Sequence, residues 1–278
     1  MPAPESRPEP GPVFAIGGAE DKVGRRTVLS AFVERAGGDQ ARIAVVPTAS
    51  SLGAEIVDVY DTVFRALGAA EVAPAAPASR ADAQDPALVE TLAKATGIFL
   101  TGGNQLTLSS IVVGTPFGDA IVAAHRRGVT VGGTSAGASI LSSHMVAFGV
   151  GGATPKQRMT QLAAGLGLLD GCVIDQHFSQ RNRYGRLLML VAQSPSLLGV
   201  GVDENTAAVV TADHLLAVLG RGAVTVVDGS SAQSNAATAK RSEPLLVSGA
   251  TVHSLPAGSV FDLTTRALVH GPDGKDQT

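Results

Sequence analysis

The chain has 278 residues, enough for one large domain or two small ones with a well-buried core. Hydrophobic residues make up 45% and charged residues 16%, the balance of a globular protein. A net charge of −3, 4% aromatics and no Trp argue against nucleic-acid binding and base-stacking platforms. No apolar run approaches the roughly 18 residues a membrane helix needs.

Residues 1–12 hold five prolines with Glu5 and Glu9 and lack the basic start and apolar core of a signal peptide, so they read as a disordered tail. Residues 271–278 read as a second flexible tail. Val13 to Ile16 is a short apolar strand ending at Gly17-Gly18, a structural turn without the pattern of a phosphate loop. Residues 25–36 place Val28, Leu29, Phe32 and Val33 at helical spacing. Ile43 to Val46 is the next strand, residues 56–67 a helix, 71–73 a short strand and 75–85 a loop. A helix at 88–95, a strand at 97–100 and a turn at 102–105 follow, then helical patterns at 107–112 and 117–127.

Val129-Thr130-Val131 then leads into Gly133-Thr134-Ser135-Ala136-Gly137, and an apolar stretch over 138–146 reads as the following helix, with His144 on it. Such a strand-to-helix elbow lifts a serine hydroxyl out of the backbone, and small neighbours admit a substrate carbonyl. Val173-Ile174-Asp175-Gln176-His177 reads as a strand ending in polar residues, and Leu198 to Val202 as another ending in Asp203-Glu204. Three strand ends thus supply Ser135, His177 and a carboxylate, Asp203 or Glu204. The order Ser, His, acid differs from the α/β-hydrolase order of Ser, acid, His. The other histidines are less telling: His125 lies at a helix end, His214 in a turn, His253 and His270 in a strand-rich tail. That tail, after Asn205, holds short strand-like runs and reads as a small antiparallel extension, with residues 230–241 a surface loop.

Alternating strands and helices predict an α/β fold with a mostly parallel central sheet flanked by helices, whose ligands gather beyond the carboxyl ends of the strands. Cys172 is the single cysteine, so no intramolecular disulfide or Cys-rich metal site is expected, and a reducing, cytoplasmic location fits. No metal or organic cofactor is called for.

The chain resembles the cyanophycinases, in the serine-hydrolase family that also holds the aspartyl dipeptidases. The matching segments are Ile16-Gly17-Gly18-Ala19-Glu20-Asp21-Lys22, Val46-Pro47-Thr48-Ala49-Ser50-Ser51, Thr101-Gly102-Gly103-Asn104-Gln105, the serine elbow through Ala138, Gly165-Leu166-Gly167-Leu168-Leu169, Asp175-Gln176-His177-Phe178-Ser179-Gln180-Arg181 and Gly201-Val202-Asp203-Glu204. Asn104 stands where the family often has Asp. The resemblance implies one hydrolase domain over 13–270, flavodoxin-like or like the class I glutamine amidotransferases, and a homodimer. It implies Ser135 as nucleophile, His177 as base and Glu204 as orienting acid, with Gln105, Asp175, Gln176, Arg181, Arg183 and Arg186 binding substrate. The amide of Ala136 is the natural oxyanion donor, with Gly103 as the second. The implied substrate is cyanophycin, a poly-aspartate backbone with arginine on each side-chain carboxyl, cut to β-aspartyl-arginine. The arginines fit the α-carboxylates of the side arms, since guanidinium and carboxylate pair through two parallel hydrogen bonds. The alternatives are an α-aspartyl dipeptidase of the same family and a non-catalytic peptide- or carbohydrate-binding module.

Overall fold

The computed structural model describes residues 8–272. The N-terminal half runs β1 (Val13–Ile16), α1 (Thr27–Arg35), β2 (Arg42–Val46), α2 (Ala54–Ala66), β3 (Glu71–Pro74), α3 (Pro86–Lys94), β4 (Gly97–Leu100), α4 (Gln105–Val112), α5 (Pro116–Arg126), β5 (Thr130–Thr134) and the short α6 (Ala136–Ser139). A hairpin follows, β6 (His144–Gly149) with β7 (Thr160–Ala164), then β8 (Cys172–Gln176), α7 (Tyr184–Gln193), β9 (Leu198–Val202), β10 (Thr206–Val210), β11 (Leu215–Gly220) and β12 (Ala223–Asp228). The last strands are β13 (Gln233–Ser234), β14 (Val247–Ser248), β15 (Thr251–Pro256), β16 (Val260–Asp262) and β17 (Ala267–His270).

A large mixed sheet is flanked by helices. Its strand order is β17-β16-β11-β10-β1-β5-β4-β2-β3. From β1 to β3 all pairings are parallel, and from β1 to β17 all are antiparallel. The expectation of a mostly parallel sheet therefore holds for one half only. The strands after Asn205 are antiparallel, as expected, but most are built into the two main sheets rather than forming a small extension. β10, β11, β16 and β17 lengthen the central sheet, while β12 and β15 complete a second sheet ordered β15-β12-β9-β8. Only β8 and β9 are parallel there. Isolated apolar runs carry no information about which sheet they join, so the second sheet had no signature in the residue pattern.

The parallel strands are apolar on both faces, as strands covered by helices on two sides must be. Ile43 and Val45 of β2 point into one core cluster and Ala44 and Val46 into the other, the two-residue alternation of a strand. Phe32 of α1 anchors the first cluster, with ring centroids 5.6 Å from Phe14, 5.7 Å from Phe64 and 5.2 Å from Phe99. A third cluster, including Val173, Leu187 and Val191, lies between α7 and the second sheet.

Several boundaries differ from expectation for local reasons. Helix α1 starts at Thr27, because the Asp21 carboxylate accepts the amides of Val23, Gly24 and Arg26 and holds the preceding segment in a turn. The apolar stretch after the serine is helical only to Ser139, and His144 opens β6, which pairs with β7. A short apolar run satisfies either element, and the partner strand decided it. Residues 1–7 and 273–278 of the expected tails lie outside the described residues. Gly11 and Pro12 are docked: the Gly11 amide donates to His125 O at 2.8 Å, and Pro12 O accepts the Val131 amide at 3.0 Å. Among the described residues no single helix is long and apolar enough to cross a membrane.

Phe32→Ala empties the centre of the aromatic cluster. It is expected to cost about 3–5 kcal/mol in urea unfolding, read from the shift in midpoint.

Candidate active site

Ser135 sits between β5 and α6 with φ 53° and ψ −111°, a strained conformation for a residue with a side chain. The flanking glycines permit it by close approach. A Cβ at Gly133 would lie 2.1 Å from Gly137 O, and one at Gly137 would lie 2.2 Å from Leu100 O. The turn thus folds flat against β4 and exposes the hydroxyl.

The Ser135 hydroxyl lies 2.9 Å from His177 Nε2, and His177 Nδ1 lies 2.7 Å from Glu204 Oε1. With Nδ1–H donating to the carboxylate, Nε2 is left as an acceptor for the serine proton. Burial holds the His177 pKa below its usual 6.5, with the charges of Arg181 and Arg183 adding to the effect, against the opposing pull of Glu204. The imidazole is therefore neutral at pH 7, the form a base requires. Asp203 is committed elsewhere. Its Oδ1 accepts the amide and hydroxyl of Ser179 at 3.0 and 2.6 Å, and its Oδ2 accepts the Ala223 amide at 3.2 Å. Only Glu204 of the two neighbouring acids faces the histidine.

Ser135 comes from the central sheet, and His177 and Glu204 follow β8 and β9 of the second sheet. The end of β1 joins them through three successive carbonyls. Ile16 O accepts the Ser135 amide at 2.9 Å, Gly17 O the His177 amide at 2.8 Å, and Gly18 O the amide of Asn205, next to Glu204, at 2.8 Å. Both glycines are required by space. A Cβ at Gly17 would lie 2.0 Å from Asp203 O, and one at Gly18 (φ +101°) would lie 2.3 Å from the His177 ring. Reading this pair as a plain turn missed its role, since nothing local reveals which segments it will touch.

The predicted substrate-binding residues separate into two groups. Asp175 and Arg186 are 0% and 2% exposed and form a two-pronged ion pair, with Arg186 Nε 2.6 Å from Asp175 Oδ2. Arg186 also donates to Gly149 O at 2.9 Å. Arg183, 8% exposed, reaches Asp175 Oδ1 at 3.3 Å, Gln176 Oε1 at 3.0 Å and the Gln176 carbonyl. These three charges satisfy one another beneath the site, and breaking such a buried pair costs about 3–5 kcal/mol. Arg181 is exposed, with no ion-pair partner among the described residues. Gln176 Oε1 lies 3.5 Å from Ser135 Oγ, so this side chain borders the serine hydroxyl. Gln105 Nε2 is 3.3 Å from Val146 O, tying α4 to β6. Asn104 caps α4 by accepting the amides of Leu106 and Thr107, so Asn fulfils the structural need at this position.

Gly102 lies against Ser135, since a Cβ there would be 3.3 Å from the serine Cβ. Among the described residues, the amides of Gly103 and Ala136 have no backbone acceptor. Glu20, which carried no role in the sequence reading, proves to be a buried carboxylate behind the elbow. Its oxygens accept from Tyr60 Oη at 2.5 Å, Lys22 Nζ at 2.7 Å and Thr134 Oγ1 at 2.5 Å. Burial pushes its pKa up, but the Lys22 charge and these bonds outweigh that and keep it below the usual value. Cys172 is buried, its thiol pushed up to about 12, so it stays protonated and unreactive. Among the described residues no group of His, Cys, Asp and Glu could hold a metal ion.

Gly18→Ala drives a methyl group into the His177 ring. We expect kcat/KM to fall by about 100-fold or more, with the circular dichroism spectrum of a folded protein retained. Unchanged kinetics would show that the ring is not held by this contact.

Residues 13–218 match the model for Peptidase family S51. The chain is 41% identical over 262 residues to a cyanophycinase of Synechococcus elongatus, covering 94% of this chain and 81% of the relative. It is 40% identical over 259 residues to a cyanophycinase of Nostoc sp. strain PCC 7120, covering 92% and 87%. Among solved structures, a peptidase from an acI-B1 Actinobacterium superposes with a TM-score of 0.67 at 21% identity, covering 92% of this chain and 98% of that one. By the span of the family match and the identity to these relatives, the chain belongs to peptidase family S51.

Proposed function

We propose that the protein is a cyanophycinase, a serine-type exopeptidase that cuts the poly-aspartate backbone and releases β-aspartyl-arginine. The observation that carries this reading is the hydrogen-bonded chain from Ser135 through His177 to Glu204 in a protein 41% identical to a cyanophycinase. Ser135 Oγ attacks the backbone carbonyl while His177 Nε2 takes its proton. The amides of Ala136 and Gly103 receive the oxyanion of the tetrahedral intermediate. His177 then returns the proton to the departing amine, leaving an acyl group on Ser135. Water, deprotonated by His177, completes hydrolysis. Glu204 fixes the tautomer and stabilises the imidazolium.

Arg181 is the arginine free to pair with a substrate carboxylate, and Gln105 and Gln176 border the same opening. Asp175, Arg183 and Arg186 act as positioning groups that hold the His177 strand end and α7 together. The strand order β3-β2-β4-β5 supports a flavodoxin-like reading of the parallel half, and residues 13–270 work as one hydrolase domain. A cytoplasmic homodimer belongs to the same proposal, the dimer resting on the family likeness.

Incubation with cyanophycin is expected to release β-aspartyl-arginine, identified by mass spectrometry, and a folded protein that yields none would contradict the reading. Ser135→Ala is expected to lower turnover at least about 10⁴-fold without unfolding. Protonation of His177 removes the base, so activity is lost as pH falls through its pKa. Because that pKa is depressed, the acid limb of kcat/KM should have its midpoint below 6.5. Arg181→Gln removes a repelling cation and should move the midpoint upward, as a pH-rate profile would show.

A further inference from the structure

On the same rim as Ser135, two arginines have no ion-pair partner among the described residues. A cavity of about 420 Å³ is lined by Asp21, Arg25, Thr27, Asn205, Gly220 and Arg221. It is built onto the triad by backbone. The Asn205 side chain accepts the Asp21 amide at 3.0 Å, and its carbonyl accepts the Arg221 amide at 2.9 Å. Asn205 itself follows Glu204 and is fixed to Gly18 O. The cavity wall therefore shares its anchor with the orienting acid.

The charges in this cavity favour an anion. Arg25 and Arg221 are exposed, and neither has an ion-pair partner among the described residues. Asp21, the one acid in the lining, is already engaged. It accepts the amides of Val23, Gly24 and Arg26 at 3.0, 2.7 and 3.1 Å, which lowers its pKa to about 2. Two arginines thus line the cavity while the Asp21 carboxylate is taken up by its own turn.

The position suits a polymer better than a dipeptide. Gly220 ends β11, which lies three strands from β5 in the order β11-β10-β1-β5. At about 4.8 Å per strand the cavity is roughly 14 Å from the nucleophile along the rim. An extended peptide rises about 3.5 Å per residue, so about four backbone residues span the gap. In cyanophycin each backbone residue carries an arginine whose α-carboxylate is free.

We propose that Arg25 and Arg221 form a distal subsite for the α-carboxylates of arginine side arms several units from the scissile bond. The subsite rests on the cyanophycinase reading and adds a preference for long chains. Carboxylate–guanidinium pairing at an exposed site is modest per pair and weakens with salt.

The test compares wild-type protein with the double variant Arg25→Gln/Arg221→Gln on two substrates, long cyanophycin and a two-unit fragment of two β-aspartyl-arginines. The expected result is a fall of about tenfold in kcat/KM on the polymer, carried by KM, with the two-unit value unchanged. The polymer KM of wild type should also rise with added salt more steeply than that of the variant. Equal effects on both substrates, whether loss or no change, would overturn the subsite while leaving the cyanophycinase reading intact. Wild-type protein that cleaves neither substrate would overturn that reading and the subsite with it.

Discussion

Three consecutive carbonyls at the end of β1 are the constraint on which the site depends. Ile16, Gly17 and Gly18 accept, in turn, the amides of Ser135, His177 and Asn205. The first belongs to the elbow of the central sheet, and the other two belong to segments leaving the second sheet. One short backbone stretch therefore sets the register between two sheets and, with it, the 2.9 Å and 2.7 Å contacts of the serine–histidine–glutamate chain. Side chains are excluded at Gly17 and Gly18 because Asp203 O and the His177 ring already occupy the space a Cβ would take. Main-chain hydrogen bonds are well suited to the task, since they fix position without adding a charge that would shift the imidazole.

Charge is instead kept behind the site. Glu20 is bound to Thr134, the residue before Ser135, while Asp175 and Arg186 lock the end of β8 to α7. Both networks are buried and internally satisfied, which is the condition for a buried ion to be tolerated. Burial, with the positive charges of Arg181 and Arg183 adding to it, keeps His177 neutral. The same arginine-rich segment thus has two uses: its buried members hold the frame, and its exposed member meets solvent.

The serine elbow was legible because its pattern is local: glycines two residues either side of a serine, after an apolar strand. The order of His177 and Glu204 was legible through motif resemblance, but the residues alone left Asp203 and Glu204 open. The choice was made by Ser179 and Ala223, which occupy Asp203 from distant parts of the chain. Burial of Arg183 and Arg186 was equally hidden. Three arginines within six residues look like a solvated surface until Asp175 is seen beneath them. That the antiparallel strands of the tail join the central sheet was hidden for a similar reason, as β10 pairs with β1 across nearly two hundred residues. Non-local pairing leaves little trace in the composition of either strand.

The central claim is that Ser135 is made nucleophilic by His177 held across the seam between the sheets. Its most direct test is labelling with a fluorophosphonate, followed by peptide mass spectrometry. The account predicts one adduct, on Ser135, in the wild-type protein, and none in a folded His177→Ala variant. An adduct on another serine, or equal labelling in the two proteins, would contradict it.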